Sequence, residues 1–141
     1  MLLAHSWPPF SSALEAASSV VVVVGEPPYA EGGGDRRELE LSPSDASIIA
    51  AVANGVRRVV VVLLCGRPLA IPPATLELID ALVVAWLPGT EGGGVADVLF
   101  GSVPFSGRLS FSWPAHAHQM TKEERSAPRA AQYPLGFGLS L

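Results

Sequence analysis

Three short apolar runs constrain the fold of this 141-residue chain more than any other feature. They occupy residues 20–24, 59–64 and 81–87, and valine and leucine supply most of their side chains. Uncharged runs of this length, rich in β-branched residues, are typical of strands buried on both faces of a parallel sheet. Helical patterns separate the runs, and strand–helix–strand order favours parallel pairing through right-handed crossovers. The sequence therefore predicts an α/β fold with a mostly parallel sheet.

The clearest helix signal lies between the first two runs. Ser42 is a good cap, Pro43 suits the first helical position, and Asp45 adds an early acid. We expect a helix from there to about Asn54, with an apolar face made by Ile48, Ile49, Val52 and Ala53. Elsewhere the pattern predicts short helices at 11–19, 74–79 and 95–100, an edge strand at 108–113, a solvated polar segment at 115–132, and a C-terminal stretch, 133–139, that packs back onto the domain.

The loop after the first run, residues 25–36, contains two glutamates, a tyrosine, three glycines and an Asp-Arg pair. Ligands of open α/β sheets bind beyond the carboxyl ends of the strands, so this loop is a candidate site. Two further loops, at 65–68 and 87–94, should emerge at the same edge. The charged side chains that this topology brings towards one another are Glu26, Glu31, Asp35, Arg36, Arg67 and Glu91.

Composition and motifs exclude several classes of function. The formal net charge is −4 without a basic stripe, which gives no support for nucleic-acid binding. No apolar run reaches the roughly 18 residues of a membrane-spanning helix, and residues 1–19 lack the basic leader of a signal peptide. Cys65 is the only cysteine, so we expect a small buried residue and no internal disulfide. We expect neither a metal nor a cofactor, because the three histidines, His5, His116 and His118, offer no convincing ligand set.

Other catalytic and binding motifs are weak or missing. Gly92-Gly93-Gly94 precedes a predicted helix, but neither dinucleotide nor P-loop fingerprint is present, and Glu91 would repel a phosphate. No G-x-S-x-G elbow positions a nucleophilic serine. The carboxylates of the first loop remain, since a glutamate with a raised pKa can act as a general acid. A solvated or arginine-paired side chain is the structural alternative for any one of them.

Several motifs in sequential order resemble the C-terminal α/β sandwich domain of family 3 glycoside hydrolases, which include β-glucosidases and exo-β-glucanases. They lie at residues 22–36, 65–69, 80–101, 104–109 and 133–139, and the stretch from Asp80 to Gly101, DALVVAWLPGTEGGGVADVLFG, is the most specific. The resemblance implies a three-layer sandwich with helices on both faces of the sheet, incomplete relative to the family. It assigns residues 20–141 to that domain and leaves residues 1–19 as an N-terminal helix or linker.

The resemblance also implies a retaining exo-hydrolase of β-linked glucosides or glucans. Glu31 matches the family's acid/base residue, and we expect Tyr29, Asp35 and Arg36 of the same loop to contact the sugar. The nucleophile of the family is an aspartate of a preceding (β/α)8-type barrel, which this chain does not contain. The family is often secreted or in the cell wall. Cys65 stands where the family more often has serine or asparagine.

Three functional hypotheses follow. The first is the C-terminal part of a glycoside hydrolase, which we expect to be inactive as an isolated chain because retaining hydrolysis uses two carboxyl groups. The second is a non-catalytic carbohydrate-binding or partner-docking module, which should present exposed aromatic platforms; Trp86 and Trp113 lie in or beside apolar runs that favour the core. The third is an unrelated Rossmann-like domain. An incomplete sheet also predicts self-association through an uncovered edge or face.

Overall fold

A parallel three-stranded sheet forms the centre of the computed structural model, which describes residues 17–117 and 131–140. Strands β1 (Val20–Gly25), β2 (Val59–Leu64) and β3 (Ala81–Trp86) lie in the order β1-β2-β3, with β2 in the middle. Both pairings are parallel, and residues 20–25 of β1 run in register with residues 59–64 of β2. The predicted α/β class, the parallel sheet and all three strands are confirmed, but the predicted burial of the first strand on both faces is wrong.

The helix between β1 and β2, α1, spans Pro43–Ala53. Its start is as predicted, because the Ser42 hydroxyl accepts a hydrogen bond of 3.1 Å from the backbone N–H of Asp45. Ile49 and Val52 are buried and join the sheet in the hydrophobic core. Ile48 is half exposed, so its predicted place on the apolar face is wrong. The helix lies in the connection between the parallel neighbours β1 and β2.

One face of β1 is buried and the other is exposed to solvent. Val22 and Val24 are 7% and 5% exposed and face the core, whereas Val21 and Val23 are 46% and 59% exposed. Alternate residues of a strand point to opposite faces, so one face of this strand packs while the other meets solvent. The predicted self-association through such a face stays a prediction.

The helices after β2 and β3 are short. Helix α2 covers Pro73–Leu76, so it begins one residue earlier and ends three residues earlier than the predicted segment 74–79. Helix α3 spans Gly92–Leu99, so it begins three residues earlier than predicted, inside the glycine triplet. The edge strand predicted at 108–113 is wrong, because only Trp113 and Pro114 form a strand there (β4, Trp113–Pro114), which pairs antiparallel with β5 (Ala131–Tyr133). Ala131 and Gln132 therefore do not belong to a solvated loop.

The C-terminal segment packs back as predicted. Leu109 donates its N–H to the carbonyl of Phe137 and accepts from Gly136, both at 2.8 Å. The Tyr133 and Phe137 rings stack with centroids 4.8 Å apart. The predicted N-terminal helix at 11–19 lies outside the described residues except for residues 17–19, which are not helical, and most of the polar segment 115–132 also lies outside them.

The two tryptophans near the sheet have different environments. Trp113 is 1% exposed and donates its indole N–H to the carbonyl of Leu69 at 3.0 Å, which confirms its core position. Trp86 is 36% exposed and packs edge-on against Phe111, so its prediction as a core residue is wrong. It ends β3 with a positive φ of 55°, which turns the chain out of the sheet.

Candidate functional site

The loops after the three strands meet at the carboxyl edge of the sheet. The N–H of Glu26 donates to the carbonyl of Leu64 at 3.0 Å, so the first loop leaves β1 against the end of β2. The N–H of Cys65 donates in the same way to Trp86, at the end of β3. This continuation of the ladders brings Glu26 and the loop of residues 65–68 side by side.

Glu26 is the centre of the site. Its side chain is only 4% exposed. One carboxylate oxygen, Oε1, accepts hydrogen bonds from Nε and Nη2 of Arg67, at 3.0 and 2.7 Å, and a further one from Nη2 of Arg36. The other oxygen, Oε2, accepts from the hydroxyl of Tyr29 at 3.2 Å. A carboxylate in this position is satisfied by charged donors, as a buried charge must be.

The charges around Glu26 oppose the effect of its burial. Burial alone raises the pKa of Glu26, but the hydrogen bonds and positive charges of Arg67 and Arg36 outweigh it, so the pKa lies below its ordinary value. The same contact raises the pKa of Arg67. Glu26 is therefore a carboxylate at neutral pH and has no proton to donate.

Arg67 joins the two ends of the first loop. While Nε and Nη2 bind Glu26 at its start, Nη1 donates to the carbonyl of Gly34 near its end, at 2.6 Å. The guanidinium also lies over the Tyr29 ring, 4.5 Å from the centroid. A planar group with five donors can make these contacts together, whereas a lysine ammonium cannot.

Tyr29 packs closely between two glycines. A β-carbon at Gly34 would overlap the Tyr29 ring, and one at Gly66 would lie 2.8 Å from its hydroxyl oxygen. The side chain is nevertheless 41% exposed at its outer face. Burial, followed by the negative charge of Glu26, raises the pKa of Tyr29. The ring therefore packs against the loop at Gly34 while the residue stays partly exposed.

Glu31 stands at the outer end of the same loop. It opens a 3-10 turn, Glu31–Gly34, with a φ of 47°, and its side chain is exposed. It makes no hydrogen bond or ion pair with any residue that the structure describes. Nothing lies within 4 Å of the β-carbon positions of Gly32 and Gly33, so the turn presents the carboxylate to open space. A carboxyl group in this setting can exchange a proton with a group that another surface brings to it.

The predicted convergence is partly correct. Glu26, Arg36 and Arg67 do come together, but Glu91 does not join them and accepts a hydrogen bond from Thr90 of its own loop at 3.1 Å. Asp35 is exposed and closes the 3-10 turn with a backbone bond to Gly32. The sequence marked Glu26 and Arg67 only as charges at this edge and missed their joint contact. The signal was an acid directly after the first strand and an arginine three residues after the end of the second.

Other reactive groups are not arranged for chemistry. Burial raises the pKa of Cys65 to about 11, so the thiol is protonated at neutral pH, and its predicted burial is confirmed. Within residues 17–117 and 131–140, no three His, Cys, Asp or Glu side chains gather as metal ligands would. Over the same residues, every helix is too short or too polar to cross a membrane.

Known proteins resemble this chain in sequence. Residues 9–141 match the glycosyl hydrolase family 3 C-terminal domain. A lysosomal β-glucosidase of Dictyostelium discoideum is 39% identical over 106 residues, which are 72% of this chain and 13% of that protein. A xylan 1,4-β-xylosidase of Xylanibacter ruminicola is 36% identical over 117 residues, 77% of this chain and 14% of the relative.

Solved structures show the same likeness. A β-glucosidase of Listeria innocua superimposes with a TM-score of 0.77 at 28% identity, covering 92% of this chain and 21% of that one. A β-glucosidase of Kluyveromyces marxianus in complex with glucose gives 0.73 at 26% identity, covering 92% and 18%. The chain thus spans about a fifth or less of these relatives. It belongs to glycosyl hydrolase family 3, and its sequence and fold are those of the family's C-terminal domain.

Proposed function

We propose that this chain works as the C-terminal part of a retaining hydrolase of β-glucosides or β-glucans, in which Glu31 is the acid/base residue. The named relatives that it matches include β-glucosidases and β-xylosidases. The observation that carries the proposal is the contrast between the two glutamates of the first loop. One is enclosed by arginines and the other is exposed at the outer end of the turn.

An acid/base residue must both donate and accept a proton, so its carboxyl group must be accessible and must not be held as a carboxylate by cations. Glu26 fails this requirement, because Arg36 and Arg67 lower its pKa and fill its lone pairs. Glu31 meets it, because its side chain is exposed and has no partner among the described residues. The loop geometry therefore favours Glu31 as the proton donor to the leaving oxygen.

Retaining hydrolysis places two carboxyl groups about 5–5.5 Å apart on either side of one sugar. The family resemblance gives the second carboxyl, the nucleophile, to a barrel domain outside this chain. That domain would also cover Glu31 and exclude water from its carboxyl group. We therefore expect the chain by itself to show little or no hydrolysis.

Tyr29, Asp35 and Arg36 surround Glu31 in the loop, and we propose that they contact the sugar. The Arg36 side chain is 43% exposed although Glu26 binds it, so its remaining N–H groups can reach a sugar hydroxyl. Tyr29 is 41% exposed, so its side chain can also contact a sugar. Arg36 and Tyr29 would then both stabilise the loop and contact the substrate.

The alternative, a non-catalytic carbohydrate-binding module, has one observation in its favour. A groove of about 650 Å³ runs along β3, and its walls include Trp86, Phe105, Trp113, Tyr133 and Phe137. Aromatic rings of this kind can stack on sugars. Trp113 is almost fully buried, however, so the platform that the groove offers is small. A titration of the chain with cello-oligosaccharides, followed by tryptophan fluorescence, tests this alternative.

The main test is a chimera in which residues 17–140 replace the matching segment of the Listeria innocua β-glucosidase. We expect the chimera to hydrolyse 4-nitrophenyl β-glucoside and the isolated chain not to. Glu31→Gln should lower kcat/KM by about 100-fold or more, the usual contribution of general acid catalysis. The loss should be smaller for 2,4-dinitrophenyl β-glucoside, whose leaving group departs without a proton.

Azide and a matched variant complete the test. Azide attacks a glycosyl-enzyme without help from a base, so it should accelerate the Glu31→Gln chimera and not the parent. Glu38→Gln changes an exposed glutamate outside the loop and should leave the activity as it was. A Glu31→Gln chimera with full activity towards both substrates contradicts the role of Glu31.

A further inference from the structure

We infer that Glu26 and Arg67 are positioning residues, which hold the first loop so that Glu31 projects from the carboxyl edge of the sheet in one fixed place. With Tyr29 and Arg36 they form a cluster that we call the Glu26 clamp. The inference rests on the proposed function of Glu31, but the order that the clamp gives to the loop can be measured without catalysis.

The clamp closes the loop by linking three separate points. Glu26 is fixed to the end of β2 by its backbone, and its side chain reaches Arg67 of the next loop. The same guanidinium binds the carbonyl of Gly34, on the far side of Glu31. Glu31 thus lies on a segment of which both ends are bound to one side chain, that of Arg67 in the loop after β2.

Few other contacts hold the outer part of the loop. The 3-10 turn is held by local backbone bonds, which include those of 3.1 Å from Gly33 to Ala30 and from Asp35 to Gly32. Gly32 and Gly33 pack against nothing, and both are exposed. Local bonds of this kind set the shape of the turn but not its direction relative to the sheet. The direction comes from Tyr29, which fits against Gly34 and Gly66, and from Arg67, which covers the Tyr29 ring.

The chemistry of the clamp makes it sensitive to small changes. Arg67 makes three hydrogen bonds in one plane, two to Glu26 and one to Gly34. Lysine keeps the positive charge but is a point donor without the fork, so it cannot bind both ends of the loop. An Arg67→Lys variant should therefore keep part of the ion pair with Glu26 and lose the simultaneous bond to the carbonyl of Gly34. If Arg67 acted only through its positive charge, lysine would preserve the order of the loop. If Arg67 positions the loop through its fork of donors, lysine would not.

Hydrogen exchange on the whole chain measures the order of the loop. In Arg67→Lys, we expect the Gly33 and Asp35 amides to exchange about tenfold faster or more, because their turn opens locally, while the amides of β2 keep their rates. Arg57→Lys, at an exposed position outside the site, is the matched control and should change neither region. Glu26→Gln, which keeps the shape of the side chain, is the second variant and should also accelerate loop exchange.

Kinetics of the chimera give the readout specific to positioning. Arg67→Lys should lower kcat for 4-nitrophenyl β-glucoside more than for the 2,4-dinitrophenyl substrate, with KM nearly unchanged, since a misplaced acid matters most for a leaving group that needs a proton. Equal losses for both substrates would show a general defect and overturn the inference.

The exchange data also separate the failure of this inference from that of the proposed function. Unchanged loop exchange in both variants would overturn the clamp whatever Glu31 does, and equal acceleration in β2 would show that these residues stabilise the whole fold. A loosened loop beside a fully active Glu31→Gln chimera would contradict the proposed function and leave the ordering of the loop by the clamp intact.

Discussion

The sequence Glu-Gly-Gly-Gly occurs twice in this chain, at residues 31–34 and 91–94, and takes two different structures. Both copies follow a strand at the carboxyl edge of the sheet. The first is an exposed 3-10 turn that begins with a positive φ at Glu31. The second begins α3, with Glu91 just before the helix and the glycines in its first turn. Identical local sequence therefore does not decide the structure here.

The neighbours of each copy decide it. The first is followed by Asp35 and Arg36, and Arg36 binds Glu26 rather than continuing a helix. The second is followed by the apolar residues Val95, Val98 and Leu99, whose helical spacing gives α3 a half-buried apolar face. The first copy is tied to a buried charged centre, whereas the second continues as an amphipathic helix. The two copies should thus respond differently to the same substitution.

The largest difference should come from one glutamate in each loop, Glu26 in the first and Glu91 in the second. Glu26→Ala leaves two arginines without their buried acceptor and should lower the free energy of unfolding by about 2–3 kcal/mol. Glu91→Ala removes only an exposed bond to Thr90 and should cost less than about 0.5 kcal/mol. Urea unfolding of both variants measures the difference. Equal losses would show that the clamp does not distinguish the two loops.

The last glycine of each copy offers a test with opposite signs. Gly34→Ala would drive a β-carbon into the Tyr29 ring, so we expect a loss of about 1–2 kcal/mol. Gly94 lies inside α3 with open space at its β-carbon position, so Gly94→Ala should stabilise the chain by about 0.5–1 kcal/mol, the helix preference for alanine. Thermal or urea unfolding gives both values. A stable Gly34→Ala chain would mean that the ring does not fill the loop.

The pH dependence of stability isolates the charge of Glu26. Its pKa is lowered in the folded chain from an ordinary value of 4.5, so its contribution is present above that pH and is lost as the pH falls through the lowered pKa. Comparison of the parent with Glu26→Gln by urea unfolding between neutral and acid pH should show the difference shrinking as the solution becomes acid. A difference that stays constant would assign the effect to shape rather than charge.

The sequence predicted the fold better than the site, and the reasons are physical. Short runs of valine and leucine favour strands by their β-branched side chains and apolar character, and Ser42 and Pro43 begin a helix through local bonds, so these elements depend little on distant residues. The edge strand predicted at 108–113 failed because alternation alone does not provide a partner; the chain pairs only at Trp113 and Pro114. Trp86 left the core because a positive φ turns it outward.

The site depends on contacts between loops, which a sequence does not display. The topology correctly brought Glu26, Arg36 and Arg67 to one edge, but nothing in their spacing shows that one carboxylate oxygen accepts from both arginines. The same holds for Tyr29, whose fit between Gly34 and Gly66 arises only after β1 and β2 pair. The role of Glu31 came from the family resemblance, and its exposure in the structure supports the proposal.

The smallest effect should appear in the titration of Tyr29, the residue that joins the clamp to the proposed sugar site. Burial and the charge of Glu26 raise its pKa above 10.0, while Arg67 opposes them. Glu26→Gln removes the negative charge and leaves the arginine, so the pKa of Tyr29 should fall. The ultraviolet absorbance of tyrosinate measures this in a Tyr133→Phe background, because Tyr29 is then the only tyrosine. An unchanged titration would place the Tyr29 hydroxyl away from Glu26, and the loop would then be held by Arg67 alone.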